Sequence, residues 1–130
     1  MDHGLVRRAA AAVALLGLVG AAQGGWTAVR STSRSIDYVD LQSVAAVGDL
    51  RRVWTLADLA RSDQAGDRSY RTLVEVDCRS TIYRSLEGVF YDMSMAGGRA
   101  TGRTDAPSPW RQVLPDSTVG AVMGLVCPKR

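Results

Sequence analysis

The chain has 130 residues, of which 46% are apolar and 22% charged, which bounds it to one folded domain, or one domain plus an appendage. Sixteen Lys and Arg against 13 Asp and Glu give a net charge of +3, with one Lys, one His and two Cys. So balanced a charge argues against a nucleic-acid binder, which usually carries a concentrated basic patch.

The N-terminus reads as a secretory signal. Arg7 and Arg8 precede an uncharged run from Ala9 to Ala22. The run is shorter than the roughly 20 residues a spanning helix needs, and it ends in small residues, as a signal peptide does. Cleavage after Gly24 would start the mature chain at Gly25, and cleavage after Ala22 would start it at Gln23. Either cut removes Asp2, His3, Arg7 and Arg8, leaving 14 basic and 12 acidic residues and no histidine. No Cys follows the run to take a lipid anchor, and no second run is long enough to span a bilayer. A periplasmic or secreted protein is therefore expected.

Short aromatic and β-branched segments follow. Residues 26–31 and 35–40 read as strands, and 41–49 as a turn or a single helical turn. Residues 50–59 form a third strand, with Trp54 and Leu56 opposite Val53. Residues 61–68 are a polar loop. In the strand 69–78, Tyr70, Thr72, Val74, Val76 and Cys78 alternate with Ser69, Arg71, Leu73, Glu75 and Asp77. The first set is expected to face the core and the second to be exposed. Residues 80–93 continue as strand, bent at Gly88. Residues 97–109, rich in Gly, Pro and Thr, are expected to be a surface loop. A short strand at 110–114 comes last.

Pro115-Asp116-Ser117 signals a helix start, with Asp116 or Ser117 as N-cap. Val119, Val122, Met123 and Val126 then fall on one helical stripe. Pro128 stops the helix, and Lys129 and Arg130 suit its C-terminal dipole. Gly120 and Gly124 are expected to let the helix lie close to the sheet. The fold class is thus α+β: an antiparallel sheet of five or six strands with one flanking C-terminal helix. An even cysteine count in an oxidising compartment argues for one disulfide, Cys78–Cys127, which would close a loop of about 50 residues for roughly 4 kcal/mol.

Chemistry is narrowly bounded. Without histidine the mature chain cannot form a Ser-His-Asp or Cys-His site, nor a His-containing zinc site. No phosphate-binding glycine loop is present, and no cofactor is expected. Glu75, Asp77 and Glu87 are the carboxylates for a glycosidase-type pair, but Glu75 and Asp77 read as surface charge beside Arg71 and Arg79. Trp26, Trp54 and Trp110 read as core.

In order and spacing, several residues resemble the surface-adhesin protein E-like family of exported bacterial proteins. They are Trp26, Tyr38-Val39-Asp40, Val53-Trp54 with Leu56, Ser69-Tyr70, Glu75-Val76-Asp77-Cys78 and Tyr83-Arg84. Trp110, Val113-Leu114-Pro115, Ser117 and Val126-Cys127 complete the pattern. The resemblance covers nearly all of 26–127. It implies an antiparallel sheet with a flanking helix, paired cysteines, homodimers, and binding of host matrix and serum proteins through basic surface segments. The chain departs from the pattern in having neither a lipidation Cys nor a Lys-rich segment.

The expected function is a non-catalytic binding protein of the cell envelope. The alternatives are a periplasmic accessory factor for other envelope proteins and a carboxylate-based hydrolase. A protein partner or a second copy is expected to contact Arg71, Glu75, Arg99 and Arg103, on the sheet face away from the helix and the adjoining loop.

Overall fold

The computed structural model describes residues 25–129. The expected signal segment, 1–24, lies outside the described residues.

Eight strands form one antiparallel sheet: β1 (Thr27–Ser31), β2 (Ser35–Val39), β3 (Ala45–Val47), β4 (Leu50–Leu59), β5 (Ser69–Asp77), β6 (Ile82–Met93), β7 (Gly97–Thr104) and β8 (Arg111–Gln112). The main order is β1-β2-β4-β5-β6-β7, with β3 added beside β4 and β8 beside β6. One helix, α1 (Thr118–Val126), follows. Strand β4 runs over the expected residues. Along β5 the set expected to be exposed is not: Ser69 and Glu75 are buried and Arg71, Leu73 and Asp77 half-buried, so both faces of this central strand are covered.

The strand count exceeds the expected five or six because edge strands carry little side-chain signal. Residues 97–104, expected as a loop, are β7, whose residues are exposed apart from half-buried Gly97. Backbone pairing to β6 holds it there, so no apolar alternation is needed in its sequence. Likewise β3 is three exposed residues within the segment expected as a turn.

Helix α1 packs on one face of the sheet, over β1, β2 and β4. Val39, Val53 and Val122 form a fully buried cluster, with Val29, Val44 and Val126 packed around it. Burying an aliphatic side chain of this kind contributes about 1.5–3 kcal/mol. Ser117 is the N-cap: its hydroxyl accepts from the Gly120 N–H at 3.0 Å and donates to the Leu114 carbonyl at 2.6 Å. Thr118 donates its hydroxyl to Asp37, fastening the helix start to β2. Cys127 caps the other end and is disulfide-bonded to Cys78, just beyond β5.

The expected role of the helix glycines needs correction. A Cβ on Gly120 would lie 2.8 Å from the Leu114 carbonyl oxygen, so the close approach is to the preceding turn and not to the sheet. Gly124 is exposed, with nothing within 4 Å of where its Cβ would be.

Candidate functional site

The face opposite α1 is built from cross-strand rows. Directly paired residues on antiparallel strands share a face. Leu56 on β4, Arg71 on β5, Val89 on β6 and Arg103 on β7 therefore form one row. Leu56 and Val89 are buried on either side of Arg71. The Arg71 guanidinium carbon lies 4.7 Å from the Trp54 ring centroid and 5.8 Å from that of Tyr91. Its Nε donates to the Tyr91 hydroxyl at 2.9 Å. A planar cation between aromatic faces keeps its charge while shielding the apolar row beneath.

The next row is Trp54, Leu73 and Glu87, and the one beyond it is Arg52, Glu75 and Arg84. Glu75 was expected to be exposed, yet only 1% of it is accessible. Arg52 Nε donates to Oε2 at 2.7 Å and Arg84 Nε to Oε1 at 2.9 Å, so the two guanidinium groups close over the carboxylate. Burial by itself would raise the Glu75 pKa. The hydrogen bonds and charges of the two arginines outweigh it and hold the carboxyl below its ordinary value. Arg84 also stacks 4.5 Å over the Trp110 ring.

Trp110, expected in the core, is 39% exposed, while Trp54 and Trp26 are half-buried. Trp110 leads into the two-residue strand β8, on the rim of the sheet, where no layer of the fold covers it.

This face is also not free along its whole length. A 310 turn, Ser94–Ala96, folds over one end. Ser69 Oγ donates to the Met93 carbonyl and accepts from Ala96 N–H, and Asp58 Oδ1 accepts from Met95 N–H. Met95 and Ala96 both hold φ near +60°, a left-handed conformation that non-glycine residues rarely adopt.

Of the four expected contact residues, Arg71 and Arg103 share one row, and Glu75 lies two rows along, sealed by its arginines. Arg99 and Arg103 are both exposed on β7, and the Arg99 amide donates to Asp92 Oδ1 at 2.8 Å. Sequence reasoning missed Arg52, Trp54, Arg84, Tyr91 and Trp110 as parts of this face. The signal for two of them was the alternation of β4, which sets Arg52 and Trp54 on the face away from Val53. The register, in which Asp58 and not Leu59 pairs with Ser69, then brings Trp54 opposite Leu73 and Arg52 opposite Glu75. Among the described residues no group of three or more His, Cys, Asp or Glu comes together to hold a metal, and no helix is long and apolar enough to cross a membrane.

The family model described as surface-adhesin protein E matches residues 26–128. The chain belongs to the surface-adhesin protein E family. Solved structures of Haemophilus influenzae protein E share its fold. One matches at 15% identity with a TM-score of 0.63, covering 82% of this chain and 86% of the other. A second crystal form matches at 15% identity and 0.64, covering 82% and 89%. At such identity the likeness shows the fold alone. No curated protein matches the chain by sequence. Membership makes this a surface-adhesin-like protein, of a family whose name points to an exported surface protein that binds other proteins.

Proposed function

We propose that the chain is an exported, non-catalytic envelope protein that binds a protein partner, or a second copy of itself, through the sheet face opposite α1. The observation that carries this reading is the pair of arginine–tryptophan stacks, Arg71 on Trp54 and Arg84 on Trp110, standing on one face. Trp, Tyr and Arg are the residues that dominate binding energy at protein interfaces. Here they come preorganised on a rigid sheet, so little side-chain entropy is lost on docking. Arg103 on β7 extends the face with an exposed charge, whereas the bulge in β7 that pairs Ala100 with Tyr91 turns Arg99 to the other side of the strand. Export is supported by the order of Arg7-Arg8, the apolar run and the small-residue exit. Intact mass of the exported chain is expected to give a start at Gln23 or Gly25.

The test is capture from envelope and extracellular-matrix extracts, alongside sedimentation to detect self-association. Arg103→Glu and Trp110→Ala alter exposed side chains, so both variants are expected to stay folded and to lose at least half of the captured partner or of the dimer. A monomer that captures nothing, or binding unchanged in both variants, overturns the reading.

A further inference from the structure

The end of the sheet where β2, β4 and β5 meet holds an arginine whose donors the chain does not satisfy. Arg68 extends the β4–β5 ladder by one step: its carbonyl accepts from Leu59 N–H, and its own N–H donates to the Tyr91 carbonyl. Its side chain makes one long hydrogen bond, from Nη2 to the Leu59 carbonyl at 3.3 Å. Its Nε is buried and has no acceptor among the described residues. A guanidinium carries five N–H donors and stays charged at any ordinary pH. Leaving a buried donor unmet is unfavourable enough that native proteins rarely do so without a reason.

Arg68 lines a hollow of about 310 Å³ together with Ser31, Thr32, Ser35 and Leu59. A second hollow, of about 500 Å³, shares Leu59 and Ala60 and adds Arg34 and Arg61. The two carboxylates at the rims are engaged elsewhere. Asp58 Oδ1 accepts from Met95 N–H, and Asp63 Oδ1 accepts from the Ala65 and Asp67 amides. No ion pair forms between any carboxylate and Arg34, Arg61 or Arg68 among the described residues. Arg68 thus borders one hollow and Arg34 and Arg61 the other, with Leu59 and Ala60 common to both.

We propose that this double hollow binds a monocarboxylate with a short apolar body: Arg68 takes the carboxylate, and Leu59 and Ala60 bear on the body. The planar two-oxygen acceptor matches the guanidinium fork better than a point charge does. The site lies apart from the arginine–tryptophan face and does not depend on its function. The carboxylate has two sources, a free short-chain acid or the C-terminus of a peptide.

The experiment is an NMR titration of the isotope-labelled chain, following the Arg68 Nε–H resonance. The probes are hexanoate, hexanamide, acetyl-Ala-Leu with a free or an amidated terminus, and inorganic phosphate. The resonance is expected to move with hexanoate or the free-terminus peptide and to stay still with the two amides. The tighter of the two carboxylates identifies the source. Arg68→Gln should weaken binding about tenfold or more. Arg61→Gln, exposed at the rim, should weaken it about two- to fivefold without disturbing the fold. No movement with either carboxylate, equal movement with the amides, or a response to phosphate alone overturns the proposal. Because the resonance is read in the native chain, this holds even if Arg68→Gln does not fold.

Discussion

Glu75 and Arg84 face each other directly across β5 and β6, with Nη2 of the guanidinium 2.9 Å from Oε1 of the carboxylate. A one-residue bulge makes this pairing. The register passes from Leu73–Glu87 to Val74–Ser85, so Leu86 is an extra residue in β6. Without it, Ser85 would stand opposite Glu75, and Arg84 would point to the helix side. The bulge therefore decides whether the buried carboxylate has one guanidinium or two.

Glu75→Gln tests what the pairing contributes. Because the folded pKa lies below the unfolded value of about 4.3, the stabilisation is fully present above that value. It is lost as pH falls through the folded pKa. Arg52 and Arg84 keep 53% and 29% of their side-chain surface exposed, so solvent screens the pair. We expect a cost of about 1–2 kcal/mol at pH 7. Denaturant midpoints measured from pH 7 to pH 2 should fall more steeply in the native protein than in the variant. Parallel curves would show that the ion pairs add nothing.

Reducing the Cys78–Cys127 bond should destabilise without changing the fold. The bond spans 49 residues and ties the end of α1 to the end of β5. Cys78→Ser should cost about 2–5 kcal/mol, read as a lower urea midpoint. Since Val122 and Val126 pack on the sheet close to that bond, hydrogen exchange should rise first in α1. Uniform exchange across the sheet would argue against local release of the helix.

Arg71→Lys keeps the charge but loses the flat stack on Trp54 and the bond to Tyr91. An ammonium has neither the planar face nor the rigid fork. The expected loss is about 1 kcal/mol in thermal or urea unfolding. A change in Trp54 fluorescence should accompany it. Unaltered stability would mean that the guanidinium merely rests on the ring.

The contrast between β5 and β7 explains how much of this was legible in the sequence. Residues 69–77 read as a strand from period two alone, and the parity that separates Val74, beside Val53, from Arg71 and Glu75 holds, although Ser69 and Glu75 of the second set are buried too. The disulfide followed separately, from an even cysteine count in an exported chain. Strand β7 has solvent on both faces, so its order rests on backbone pairing, and a Gly- and Thr-rich string encodes that no differently from a loop. The candidate face fails to show for a second reason. Parity places Arg71 correctly, but the bulge at Leu86 switches the parity of everything before it in β6. Arg84 thus joins Glu75 only once register is known. Burial of Glu75 was hidden likewise, since charge alone reads as surface until its two arginines are brought over it.

The two helix glycines should respond in opposite directions to the same substitution. Gly124→Ala places a methyl in open space on α1, where no backbone exceeds its ordinary range. Alanine gives up less backbone entropy on entering a helix, so a gain of about 0.5–1 kcal/mol is expected. Gly120→Ala carries the same propensity gain but drives its Cβ to 2.8 Å from the Leu114 carbonyl oxygen and 3.2 Å from Ser117 Oγ. The Leu114 oxygen is backbone, already held by the Ser117 hydroxyl, and cannot rotate away. Relief must come from shifting the turn that carries the N-cap, and loss of such a cap costs about 1 kcal/mol or more. A higher midpoint for Gly124→Ala with a lower one for Gly120→Ala would fit this geometry. Two equal gains would mean that the turn before α1 yields freely, and that the cap does not set the helix's position.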